Sequence, residues 1–198
     1  MKILGICGSA SADSYTLKAL KVSLQRAAAL SHETELISIS DLRLPLPDAP
    51  DSGSKEDAQR ILDAVKEASG VILATPEYHG SYSSGIKLII DNLGYPSALK
   101  DKPISLLGTA AGKIGAIKAL EHLSSVCSHV GAFVTPGYVS IPNVRKEFSP
   151  TGEVLLPATQ KLLEQVTDNL LQFMKYSHFL KSYPEALARE GSSKKSGS

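Results

Sequence analysis

VILATPEYHGSYSSGIKLIID, residues 71–91, passes from an unbroken apolar run into a polar turn and then into a helical pattern. Val71, Ile72, Leu73 and Ala74 present no polar face, which predicts a central parallel strand covered by helices on both sides. At its carboxyl end, Pro76, Glu77, Tyr78, His79, Gly80 and Ser81 bring together a fixed φ, a carboxylate, a phenol, an imidazole and a glycine. Ser84 is a candidate helix cap, and Ile86, Ile89, Ile90 and Leu93 recur at helical spacing behind it. In an open α/β sheet, the loop leaving such a strand is where a ligand binds.

The same alternation extends in both directions. Ile3–Cys7 reads as a second buried strand, followed by a helix capped by Asp13 or Ser14 with Leu17, Leu20, Leu24 and Ala27 or Ala28 inward. Thr34–Ile39 alternates polar and apolar, as an edge strand does. Residues 41–54 hold three prolines and a glycine and predict a loop. Ser54 with Asp57 approximates a capping box ahead of a helix through Ile61, Leu62 and Val65. Ile104–Leu107 is a further strand, residues 113–130 a long helix with Ile114 and Ile117 inward, and Ala132–Val134 a fifth strand. Pro157 opens a final helix with Leu162, Leu163, Val166, Leu170 and Phe173 inward.

Five strands interleaved with five helices, joined by right-handed crossovers, predict an α/β doubly wound parallel sheet of order 2-1-3-4-5, helices on both faces. The amphipathic second strand belongs at an edge, and the apolar first and third belong at the centre. A chain of 198 residues, 42% hydrophobic, suits one such domain, taken as residues 1–180. Residues 181–198 form a C-terminal extension whose polar end, from about residue 192, is expected to be disordered.

Net charge is +1, so neither nucleic acid nor an anionic membrane is an expected partner. Cys7 and Cys127 have no ligand or redox spacing around them and read as small buried hydrophobes. The opening MKILGICGSA behaves as a strand rather than a leader, and no run reaches membrane-spanning length, so a soluble cytoplasmic protein is expected. Neither a nucleophile with a paired base, nor a carboxylate pair, nor a metal constellation emerges.

In the order 2-1-3-4-5, the loops after the first, third and fourth strands meet at the switch point of the sheet. The first, residues 8–16, places Ser9, Ser11, Ser14, Tyr15 and Thr16 at the start of a helix, where free N–H groups and the dipole favour a phosphate. The second is the 76–81 turn. The third contains Thr109, Ala110, Ala111 and Gly112, matches no nucleotide fingerprint by spacing, and on its own reads as a flexible turn.

PEYHGSYSSGIKLIID resembles the signature of the NAD(P)H-dependent FMN reductase family of flavodoxin-like proteins, and the resemblance spans residues 1 to about 175. It implies a flavodoxin-like domain binding FMN, with NADPH or NADH as co-substrate. Hydride would pass through the flavin to a small-molecule acceptor such as free flavin, a quinone, an azo compound or a metal oxyanion. The cofactor then carries the electrons, and the catalytic side chains number none.

By this resemblance Pro76, Glu77, Tyr78, His79, Gly80 and Ser81 position the flavin ring, and residues 109–112 wrap its pyrimidine edge. The family's phosphate loop usually reads Gly-Ser-x-Arg-x-x-Ser; Gly8, Ser9 and Ser14 match, but Ser11 replaces the arginine and Thr16 a common asparagine. Lys18 is a candidate for the missing cation. The resemblance also implies a homodimer or homotetramer joined through helices 84–93 and 113–130, with loop 41–54 reaching the neighbouring site. The alternative functions on this fold are a flavodoxin-like electron carrier, or a flavin- or nucleotide-binding sensor module without turnover.

Overall fold

The computed structural model describes the backbone of residues 1–193 and the side chains of residues 1–176. Among the described residues there are seven strands and five α-helices: β1 (Lys2–Cys7), α1 (Tyr15–Ala29), β2 (Glu33–Ser38), α2 (Lys55–Glu67), β3 (Gly70–Tyr78), β4 (Ser81–Tyr82), α3 (Ser84–Asp91), β5 (Pro103–Thr109), α4 (Ile117–His129), β6 (Phe133–Val134), β7 (Val139–Ile141) and α5 (Pro157–Ser193). The main sheet runs β2-β1-β3-β5-β6, all parallel, which is the doubly wound order expected from the strand polarity. Two features add to it. β4 folds back on β3, and β6 and β7 both pair with β5, so the fifth strand is one strand broken at Pro136 and Gly137.

Strand alternation sorts the core into two layers. Leu4, Ile6, Val71, Leu73, Ile104 and Leu106 point to one face, where Ile61, Val65, Ile86, Ile89, Leu120 and Leu123 of α2, α3 and α4 cover them. Ile3, Cys7, Ile72, Ala74 and Leu107 point to the other, beneath Leu20 and Leu24 of α1 and Leu163, Val166 and Leu170 of α5. Each large aliphatic side chain fully withdrawn from water contributes roughly 1.5–3 kcal/mol, so these layers fix the strand order. Burial pushes the Cys127 thiol up to about 12 and raises Cys7 as well. Both are free, buried and neutral at ordinary pH.

Helix starts follow the serines, with one shift. Ser14 caps α1 by accepting from Leu17 N–H at 3.0 Å, and Ser54 caps α2 by accepting from Asp57 N–H at 3.1 Å. The Asp57 carboxylate does not close the box; it accepts from Arg43 N–H at 2.8 Å and anchors loop 41–54. α3 is capped by Ser83 rather than Ser84. α4 starts at Ile117, later than expected, and Ile114 and Ile117 are exposed rather than inward. Leu162 is also exposed, its place on the inner face of α5 taken by Leu163, Val166 and Thr167.

α5 continues to Ser193, so position 180 falls within a helix and Ser192 is helical. The remainder of the expected disordered tail, residues 194–198, lies outside the described residues. No helix among the described residues is long and apolar enough to cross a membrane.

Candidate functional site

β1, β3 and β5 are neighbours, and the loops leaving their carboxyl ends enclose one cavity of about 530 Å³. The first loop contributes Ser9, Ser11, Ser14, Tyr15 and Thr16. Pro76, Glu77 and Tyr78 line it from the end of β3, and Thr109, Ala110 and Ala111 from the end of β5. A volume of this order is usual for a small-molecule site, about 300–1,000 Å³.

The first loop brings buried hydroxyls to the cavity. Ser9, Ser14 and Thr16 are each at most 5% exposed. The Ser9 oxygen accepts from Ser11 N–H at 3.4 Å, which leaves its hydroxyl proton to be donated, while the Ser14 oxygen accepts from Leu17 N–H at 3.0 Å and its hydroxyl also lies against the Cys7 thiol. Thr16 and Thr109 share one hydroxyl–hydroxyl hydrogen bond of 2.6 Å, which joins the first turn of α1 to the end of β5 and leaves one proton free. These donors surround the amino terminus of a fifteen-residue helix, whose dipole favours negative charge.

The second loop is a hairpin. Glu77 pairs with Tyr82 and Tyr78 with Ser81 across the two-residue turn His79–Gly80. Both turn residues have positive φ, +51° and +73°, which the tight primed turns of β-hairpins require. The hairpin is then tied to α4, whose own cap residue, Ala116, offers no side chain. The Glu77 carboxylate accepts from Ala119 N–H at 3.1 Å, and Ser81 Oγ lies 3.0 Å from His122 Nδ1. The acid therefore serves the amino end of α4, and Tyr78, 54% exposed, stands free over the cavity mouth.

His79, Gly80, Ser81 and Gly112 do not line this cavity. The first three form the turn leaning on α4, and Gly112 is at the open tip of the third loop. Lys18 does not line it either; its Nζ is bound to Asp13 at 2.5 Å and lies 4.6 Å from the centre of the Tyr15 ring. Three lining residues were not expected from the sequence: Asp13, Val144 and Arg145. The last two reach the site because β7 extends the broken fifth strand alongside β5, a pairing that carries no motif.

A second, more apolar groove of about 630 Å³ adjoins the first across Ser11 and Tyr78, walled by Leu46 and Pro47 on one side and the start of α3 on the other. A set of buried hydroxyls at a helix start, continuous with the end of β3 and an apolar groove, lies at the switch point of a sheet whose strand order makes this a flavodoxin-like protein. The sequence pattern of NADPH-dependent FMN reductases matches residues 1–146, and the chain belongs to that family. It is an NAD(P)H-dependent oxidoreductase that works with FMN.

Among its relatives is an NADPH azoreductase of Bacillus sp. (strain OY1-2), 31% identical over 141 residues, which are 68% of this chain and 75% of the relative. A quinone reductase of Escherichia coli (strain K12) is 27% identical over 180 residues, 87% of this chain and 93% of the relative. Among solved structures, the flavoenzyme NAD(P)H:(acceptor) oxidoreductase FerB from Paracoccus denitrificans superposes with a TM-score of 0.73 at 27% identity, covering 88% of this chain and 97% of FerB.

Proposed function

We propose that FMN occupies the cavity between the three loops, its phosphate on the amino end of α1 and its ring between the 76–82 hairpin and residues 109–111. The observation that carries this reading is the convergence of buried hydroxyls and a helix start in the same cavity as the first strand of the hairpin. Ser9, Ser14, Thr16 and the first N–H groups of α1 would bind the phosphate, Ser11 and Tyr15 would line its approach, and Ala110 and Ala111 let backbone come close to the ring edge. His79 and Gly80 act through the shape of the turn, and Ser81 and Glu77 by holding that turn on α4.

When bound, FMN accepts hydride from the reduced nicotinamide and later delivers electrons to the acceptor. The protein's part is placement: a flat floor, donors fixed before the ligand arrives, and an apolar groove that excludes water. The groove beside Tyr78, Leu46 and Pro47 would take the nicotinamide and afterwards an aromatic acceptor of quinone or azo type. The test is spectroscopic. The purified protein reconstituted with FMN should lose its visible flavin band on anaerobic addition of NADPH and regain it on addition of a quinone. A bound flavin that NADPH leaves unbleached would instead identify a carrier or a sensor.

The chain is further read as a homodimer or homotetramer. Support comes from a groove of about 1,120 Å³ along α3 and α4, lined by Pro96, Val126 and Val130 and flanked by the fully exposed Tyr95. Light scattering on the reconstituted protein should return a multiple of the 21.0 kDa chain mass, and a monomer would remove this part of the reading. The two free buried thiols suit a reducing, cytoplasmic setting.

A further inference from the structure

A flavin phosphate is a dianion, and hydroxyls and a helix dipole alone leave its charge without a counterion. Ser11 occupies the position where the family's phosphate loop has its arginine, and Lys18 is engaged by Asp13. Among the described residues, a different cation lines the cavity. Arg145 lines it together with Ser11, Ser14 and Tyr15, although it stands far from them in sequence.

Its place is fixed by the backbone. Arg145 is the middle residue of a short 3-10 turn, Val144–Lys146, entered through Asn143 at a φ of +46°. Val144 N–H donates to Ala110 C=O and Asn143 N–H to Gly112 C=O, both at 3.0 Å, which clamps the turn onto the third loop. Val144 is buried beneath it, and the Phe148 ring lies 6.1 Å from the Tyr15 ring, drawing the following segment against the first turn of α1. Arg145 itself is exposed, and among the described residues it has no carboxylate within ion-pair distance. A guanidinium on such a rim, with its planar fork unspent, is suited to two parallel hydrogen bonds to a phosphate.

We propose that Arg145 is the phosphate-binding cation of this protein, replacing in space the arginine that Ser11 displaced in sequence. This rests on the reading of the cavity as the FMN site. The geometry gives a chain in which the anion is held between α1 and the 3-10 turn after β7, rather than by the first loop alone.

Riboflavin carries the same ring without the phosphate, so titrating both ligands isolates the contact. Apoprotein should bind FMN more tightly than riboflavin. R145A should weaken FMN roughly 10- to 100-fold, the range of a hydrogen-bonded charged contact, leave riboflavin unchanged, and flatten the salt dependence of FMN binding. R145K should recover part of the loss, and the melting temperature of the apoprotein should not move. Equal weakening of both ligands, or no weakening of either, overturns the assignment. S14A separates the two claims: if it weakens FMN alone while R145A does nothing, the phosphate is at α1 and only the role of Arg145 falls. If wild type binds the two ligands equally, the placement of the phosphate falls as well.

Discussion

Ser83→Ala should lower the melting temperature by about 5–15 °C and weaken FMN binding, although Ser83 does not line the cavity proposed for FMN. The hydroxyl donates to Gly8 C=O at 2.6 Å and accepts from Ile86 N–H at 3.2 Å, and Ser83 N–H donates to Thr75 Oγ1 at 3.0 Å. It therefore joins the exit of β1, the end of β3 and the start of α3 in a pocket that is 4% exposed. Alanine removes a helix cap, about 1 kcal/mol, and strands a buried carbonyl, about 1–3 kcal/mol. Space is too tight for relaxation: a Cβ on Gly8 would fall 2.8 Å from Ser83 Oγ, and one on Gly85 the same distance from Gly8 C=O. For a domain of this size the sum translates into the stated shift, read by calorimetry. A melting point equal to wild type would show that these three segments are joined by other means.

The second large effect is expected at Gly80. Gly80→Val should weaken FMN roughly 10- to 100-fold, read by fluorescence titration, with a smaller change in global stability. The cause is conformational. A φ of +73° excludes a β-branched residue, yet the side chain would meet only Lys118 Cδ at 3.6 Å, so strain rather than collision decides the outcome. A misplaced backbone of this kind costs about 1–3 kcal/mol, which the hairpin relieves by giving up its turn and with it the platform proposed for the ring. Gly80→Asn, which tolerates positive φ, should keep most of the affinity. Equal binding by Gly80→Val would place the flavin away from this hairpin.

Most of the fold is legible in the sequence because burial writes itself into composition. Val71–Ala74 is apolar on both faces, as a central strand requires, and Glu33 and Glu35 mark β2 as an edge. What escaped depends on contacts distant along the chain. The hairpin left a local sign, since His-Gly between Glu-Tyr and Ser-Tyr has the form of a primed turn, but the six polar positions read as a loop. Ile114 and Ile117 fit the inward period of α4 and are outside because Gly115, at a φ of +81°, turns the chain before the helix begins.

The site divides in the same way. Residues from the starts of helices and the ends of strands, such as Ser14, Thr16 and Thr109, carry recognisable chemistry and meet where the topology sends them. Glu77 lines the cavity as expected and also satisfies the amino end of α4, a role visible only once Ala116 is seen to cap that helix without a side-chain bond. Arg145 has no motif at all. Its arrival depends on the fifth strand resuming at Val139 after its interruption, a register that residue pattern does not announce.

That interruption also governs what the molecule does not stick to. Pro136 and Gly137 split the outer strand into pieces of two and three residues, so no long ladder of free amides is offered to a passing polypeptide. The opposite border, β2, bears two acids. Among the described residues both rims are thus poor templates for fibril growth.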